Sequence, residues 1–269
     1  MPLHTAGADR VASLYHWQPA RLDWLEHTLS AGAVYCPSPG EFRDPWDGRP
    51  HFDWAADSPA ARVEEQIAWA TRQRLANKPG ITEQEIVQMQ HDLRTDPARV
   101  PAILEQVRGE MQRDIAQRYR VLCLGTDVSH PLLWTHYGDR HRGVALEFDV
   151  GVAPIDGALR CEYRDRFPLL NVCATAAEDD LVVLTTKSQA WQHEQEYRLL
   201  AQEHGHKIAS GALVTKDHYL PLPPGALTAI VVGCQGDAQA VRELVERIGC
   251  AVAVRQAEQM PGRYALKVV

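Results

Sequence analysis

Apolar positions along this chain switch between two spacings, and each switch marks an element. SLYHWQ, residues 13–18, is a short aromatic run of the kind that predicts a strand. In the ARLDWLEHTLSAG that follows, Leu22, Leu25 and Leu29 recur at helical spacing and Gly32 supplies a stop. AVYC predicts a second strand. PSPGEFRDPWDGRP is a loop dense in Pro and Gly that carries Asp44 and Asp47.

From about residue 58 to 120 the texture becomes helical. SPAARVEEQIAWATRQRLA opens with a Ser cap at Ser58 and a Pro in the first turn, with Glu64 and Glu65 near its N-terminal end. In ITEQEIVQMQHDLRT, Thr82 is followed three residues on by Glu85, a capping box. DPARVPAILEQVRGEMQRDIAQRY supplies a third helical pattern. Strand-like segments resume beyond it: RVLCLGTD, GVALEFDV, ALRCEYRD, EYRLLAQ, LVTKDHYLPL, AIVVGC, AVAVRQAE and YALKVV. SHPLLWTHYGDRH predicts a short helix or turn, and DAQAVRELVERIG an amphipathic helix ended by Gly249. AAEDDLVVLTTKSQAWQHEQ has a helical pattern, weakened by its Val-Val and Thr-Thr pairs. The expectation is a single α+β domain over residues 1–269, with strands spread over both halves and a helical subdomain inserted at about 58–120.

Composition narrows the functional classes. Of 269 residues, 45% are hydrophobic and 23% charged, enough for a sizeable core. The formal charge of -7 argues against a general nucleic-acid or membrane-surface binder, though Arg140, His141 and Arg142 form a small basic cluster. Six cysteines, at 36, 123, 161, 173, 234 and 250, lie in or beside apolar runs with no CxxC spacing. They read as free thiols in a reducing compartment. MPLHTAGADR lacks the apolar stretch of a signal peptide, and no apolar run approaches the ~20 residues of a membrane span. A cytoplasmic protein with no membrane partner is expected.

The candidate chemistry is concentrated in KSQAWQHEQEYRLL, residues 187–200. On a strand Glu194 and Glu196 would share a face, whereas on a helix they would diverge. A boundary between them, with Glu196 opening a strand, keeps both at one cleft edge. Two carboxylates that close need a proton or a cation, and Lys187 and Arg198 are the candidates. The alternative is a solvated helix end with ion pairs worth little. Trp191, one helical turn beyond Lys187, reads as a core anchor. His136, Tyr137 and His141, with Gly138 and Gly143 alongside, form either a pocket wall or a loop around a locally bonded Tyr. The i,i+5 spacing of the two histidines does not suit zinc, and no metal is expected. His16 between aromatics reads as half-buried, and Asp44-Pro and Asp47-Gly beside Arg43 are explained by turn chemistry. Walker, GxGxxG, GxSxG and HExxH patterns are absent, which sets aside the common NTPase, Rossmann, hydrolase and zincin classes.

As a set, LYHW, CPSPGEFRDPWDG, LLWTHYGDRHRGVALEF and KSQAWQHEQEYRLL resemble a bacterial family of unknown function associated with abortive phage infection. LYHW followed by a helix and GAVYC, together with HEQEYRLL, is also distantly similar to ADP-ribosyltransferase folds of the His-Tyr-Glu type. That resemblance implies a split mixed and antiparallel β-sheet core, and NAD as substrate, with a protein, nucleic acid or water as acceptor, in a defence or toxin protein. His16 would orient the nicotinamide ribose, and Tyr137, or alternatively Tyr35, would stack on nicotinamide. Glu196 would stabilise the cationic transition state, and Glu194 would activate the acceptor. Arg43, Lys187 and Arg198 are expected to contact the dinucleotide. Two other readings stand beside it. A metal-dependent nuclease would use Asp44, Asp47, Glu194 and Glu196 around a divalent cation. A non-enzymatic sensor would bind its ligand or phage protein through the helical insertion.

Overall fold

The computed structural model describes residues 4–53, 59–78, 80–96, 99–171, 179–206 and 208–269. Strand β1 (Ser13–Gln18) leads into helix α1 (Leu22–Ala31), which ends at Gly32 before β2 (Ala33–Tyr35). After the short strand β3 (His51–Asp53) come the three helices α2 (Pro59–Asn77), α3 (Glu83–Thr95) and α4 (Arg99–Arg118). Strand β4 (Tyr119–Leu124), the short helix α5 (Pro131–His136) and β5 (Val144–Asp149) follow. The next stretch holds β6 (Leu159–Arg160), β7 (Glu162–Arg164), β8 (Leu169–Asn171), helix α6 (Asp179–Thr185), β9 (Thr186–Ser188) and β10 (Tyr197–Glu203). Last come β11 (Leu213–Thr215), β12 (Tyr219–Pro221), β13 (Leu227–Val232), helix α7 (Ala238–Ile248), β14 (Ala253–Gln259) and β15 (Leu266–Val268).

The fold is mixed α+β, built on two principal sheets. One runs β1-β5-β13-β14-β15 and is antiparallel except for the parallel β13/β14 pair. That pair is joined through α7, as a parallel connection requires. The other runs β11-β10-β4, with β6 also pairing with β10. A two-way backbone bridge between Tyr15 and Gly125 (2.9 Å each way) ties β1 to the end of β4. Gly125 is needed at this joint, because a Cβ there would sit 2.9 Å from the Trp17 ring and 3.3 Å from the Glu194 carbonyl oxygen.

The largest core gathers Leu14 from β1, Leu122 and Leu124 from β4, Leu146 and Phe148 from β5 and Ile230 from β13. Helix α7 adds Val241, Leu244 and Val245 from its apolar stripe. Each such aliphatic contributes about 1.5–3 kcal/mol by leaving water. Asp237 caps α7 by accepting from the Ala240 amide, and Gly249 ends it. A second cluster centres on Trp134, whose indole meets Trp17 edge-on at 6.3 Å and donates to the Val128 carbonyl at 2.6 Å.

The helical block has a small core of its own, with Ile67, Trp69 and Ala70 of α2 against Leu93 of α3. The Thr82–Glu85 capping box forms as its spacing requires. The Ser58 cap lies outside the described residues. Three sequence expectations need correction. The helical pattern before Glu194 is not one helix, since α6 stops at Thr185 and gives way to β9 and a 3-10 turn over Gln189–Glu194. LVTKDHYLPL is two strands, divided where Asp217 and His218 take left-handed backbone (φ 52° and 71°). ALRCEYRD is likewise split into β6 and β7. Among the described residues no helix is long and apolar enough to cross a membrane.

Candidate functional site

A cavity of about 470 Å³ opens where the two sheets meet, and it collects residues from distant parts of the chain. β1 contributes His16, the DPWDG loop contributes Asp44 and Asp47, the residue after α5 contributes Tyr137, and the 187–196 segment contributes Lys187, Trp191, Glu194 and Glu196. Its lining is mainly apolar, with Lys187, Glu194 and Glu196 joined in one buried charged cluster.

The two glutamates face a common ammonium because of Gln195. This residue ends the 3-10 turn in left-handed backbone (φ 45°, ψ 48°), so the chain turns sharply between Glu194 and the strand that Glu196 precedes. Thr126 donates to the Gln195 side-chain oxygen at 2.9 Å. The Lys187 ammonium then lies 2.5 Å from Glu194 Oε2 and 2.7 Å from Glu196 Oε2. The Tyr137 hydroxyl donates to the other Glu194 oxygen at 2.7 Å. The Glu196 amide donates to the Tyr163 hydroxyl oxygen at 2.8 Å, which fixes the strand entrance.

Behind Glu196 stands Arg198, which is 0% exposed. Its Nε donates to Glu196 Oε1 at 2.8 Å. Its two Nη groups grip Asp47 bidentately at 2.9 and 2.6 Å, and Nη1 also donates to the Leu184 carbonyl at 2.7 Å. The guanidinium lies 5.1 Å over the Phe42 ring. Burial alone would push the Glu196 carboxyl up, but Arg198 and Lys187 outweigh it and hold it well below the usual carboxylate range. Burial also works against the Lys187 ammonium, and the neighbouring Glu196 and Glu194 carboxylates raise it in spite of that. Burial raises the Tyr137 hydroxyl, so it stays protonated as a donor. The cluster therefore holds three carboxylates against two cations, a formal excess of one negative charge beside an apolar cavity.

On the opposite wall, His16 Nδ1 lies 2.9 Å from the Cys123 carbonyl, which makes Nδ1 the protonated nitrogen and Nε2 the acceptor. Burial lowers its pKa below 6.5, keeping the ring neutral. Trp191 is not the core anchor that helical spacing suggests. It lines the cavity, donates to Asp44 at 2.7 Å and carries the Lys187 ammonium 5.5 Å above its ring.

Six of the sequence-selected residues thus meet at one cavity: His16, Arg43, Tyr137, Lys187, Glu194 and Glu196. Arg43 also donates to the His136 carbonyl. Two do not. Tyr35, on β2, is 41% exposed, and its ring stacks on His218 at 5.3 Å away from the cavity lining. Arg198 is the support beneath the carboxylates rather than a contact for a ligand. The solvated-helix-end alternative also fails, because Lys187, Glu194, Glu196 and Arg198 are all buried. The carboxylates of Asp47, Glu194 and Glu196, which a nuclease would offer to a metal, are bound by Lys187 and Arg198. His141 lies outside the lining, with Nε2 at 3.1 Å from the Thr135 hydroxyl. Cys36 and Cys161 are free and buried, and Cys123, Cys234 and Cys250 are free and half-buried. Cys173 lies outside the described residues.

Asp47, explained by turn chemistry and otherwise a metal ligand of the nuclease reading, is tied to this cluster by Arg198. Its partner Arg198 is 151 positions away, so no local spacing could announce the pair. No protein-family model, curated protein or solved structure was found to match the chain.

Proposed function

We propose that the chain is an NAD-consuming enzyme of the ADP-ribosyltransferase type, transferring ADP-ribose or hydrolysing NAD, in a bacterial phage-defence or toxin role. The observation that carries this reading is the buried excess negative charge of the Asp47–Glu194–Glu196–Lys187–Arg198 cluster, set beside an aromatic-walled cavity that His16 and Tyr137 also line. Such a floor favours a ligand that is cationic or becomes so, and NAD is both. Its nicotinamide ring starts as a pyridinium. When the C1′–N bond breaks, the electron pair leaves with nicotinamide and the positive charge moves onto the ribose as an oxocarbenium.

In this reading Tyr137 and Trp191 give aromatic faces to the ring, and His16 Nε2 accepts from a ribose hydroxyl. Glu196, kept ionised by Lys187 and Arg198, stabilises the cation that develops at C1′. The incoming hydroxyl or water oxygen forms the new bond to C1′, and its proton passes to Glu194. Trp17 lines the same cavity and adds a further aromatic face.

The test is nicotinamide release from NAD by the purified chain. Glu196→Gln should lower the rate at least ~100-fold, the scale of losing one preorganised electrostatic contact, with the thermal midpoint measured alongside. Glu194→Gln should spare NAD binding and slow turnover. Absence of nicotinamide release by the unaltered chain at high concentration would sink the proposal.

A further inference from the structure

A second cavity, about 320 Å³, adjoins the first, and Asp44, Trp46, Asp47 and Lys187 line both. Its outer wall has a different chemistry. Arg49, Arg164, Arg166 and Phe167 line it. Arg164 is held by Glu162 at 2.8 Å. Arg49 and Arg166 are exposed and form no ion pair among the described residues, and Asp165, between two of the arginines in sequence, pairs with neither.

Two large aromatics complete the wall. Trp46 is 64% exposed and Phe167 39%. Phe167 is backed by His51, whose ring stacks on it at 5.7 Å with the planes 23° apart, so its plane is supported from behind. An exposed Trp and Phe flanking one small cavity, beside two uncommitted guanidiniums, match two faces of a single ligand type. A nucleobase stacks on aromatic faces whatever its identity, and a phosphate is gripped by guanidiniums. The chain's formal charge of -7 repels long polyanions, which favours a short ligand over a duplex.

We propose that this second cavity is a nucleoside-phosphate subsite, with the base against Trp46 and Phe167 and the phosphate on Arg49 and Arg166. The ligand has two possible sources. It is either the adenylate half of the dinucleotide whose other half occupies the first cavity, or a separate nucleotide. The inference rests on the proposed function only for the choice between these sources.

The experiment titrates AMP into the full chain by calorimetry. Saturable binding is expected, weakened at least tenfold by Arg49→Ala combined with Arg166→Ala, and about tenfold by Trp46→Ala. Adenosine, lacking the phosphate, should bind the unaltered chain more weakly and be indifferent to the arginine pair. No AMP binding at millimolar concentration overturns the proposal, and so does undiminished binding by the double arginine variant. Glu196→Gln should retain AMP binding, so a chain that releases no nicotinamide yet binds AMP loses the enzymatic reading and keeps this subsite. Displacement of AMP by NAD but not by nicotinamide mononucleotide identifies the adenylate half of the donor. Simultaneous binding of AMP and NAD identifies a separate nucleotide.

Discussion

Removing Asp47 would leave the Arg198 guanidinium buried and without its bidentate partner. Arg198 keeps Glu196 and the Leu184 carbonyl, so the loss is that of the bidentate contact, about 1–3 kcal/mol for a buried group deprived of a hydrogen bond. Asp47→Ala should therefore lower the unfolding free energy obtained from urea titration by an amount in that range, and Asp47→Ala with Arg198→Met should cost clearly less than the two single changes summed. Additive losses would mean the pair is not the unit described here. The pH dependence at this scale comes from His16 and Glu196. Burial depresses the folded-state pKa of His16, so the unfolded chain takes up that proton first. Its contribution is neutral above about pH 6.5, and stability falls as pH drops below that value. The Glu196 contribution is present above pH 4.5, its ordinary value, and is lost only as pH falls through its lower folded value. The thermal midpoint should begin to fall below pH 6.5, and His16→Asn should flatten that first part of the curve. Glu194 and Glu196 were legible as a pair from their closeness at an element boundary, although the left-handed Gln195 rather than a strand face turns both to Lys187. Asp47 was not, since Asp before Gly already satisfies a turn.

Elements show the same division between local and distant causes. Helix α7 could be read from its stripe, its Asp237 cap and its Gly249 stop, and α3 from its capping box, because all of these signals are local. Trp191 misled because no single helix joins it to Lys187: Lys187 lies in β9 and Trp191 in the 3-10 turn that follows, which turns the indole to the cavity. The turn after α5 is set by backbone crowding that residue types alone do not reveal. Asp139, Arg140 and His141 are three consecutive left-handed residues (φ 45°, 55° and 68°), an arrangement that costs strain at each position. It is closed by Gly143, where a Cβ would lie 2.3 Å from the Gln18 carbonyl oxygen and 2.7 Å from the Gly138 carbonyl carbon. Both obstacles are backbone and neither can swing aside. Gly143→Ala should thus destabilise by about 2 kcal/mol or more, within the range of strain and overpacking costs, and should disturb the Tyr137–Glu194 contact. Denaturant unfolding reads the first effect, and the near-ultraviolet signal of Tyr137 and Trp134 reads the second.

At the scale of the whole molecule, the candidate site belongs to neither sheet alone. His16 stands on one, Glu196 enters the other, and the Tyr15–Gly125 bridge sets their separation. His16 and Cys123, which hydrogen-bond across that joint, are 107 positions apart in sequence. Closing a loop of that length is entropically costly and slow, so contacts of this kind form late. The three helices α2, α3 and α4 lie inside the loop; α2 and α3 pack on each other, while α4 also buries Ile115 against Tyr119, Val121, Leu170, Val183 and Leu184. Helices formed early would compact much of the intervening chain and bring the two ends nearer before they pair. Helices α2 and α3, none of whose described residues lines the cavity, would then govern how fast the site is assembled rather than what it does once assembled. Replacing residues 59–95, which hold α2 and α3, with a flexible Gly-Ser linker of equal length should slow refolding while leaving the completed cavity able to bind its ligand.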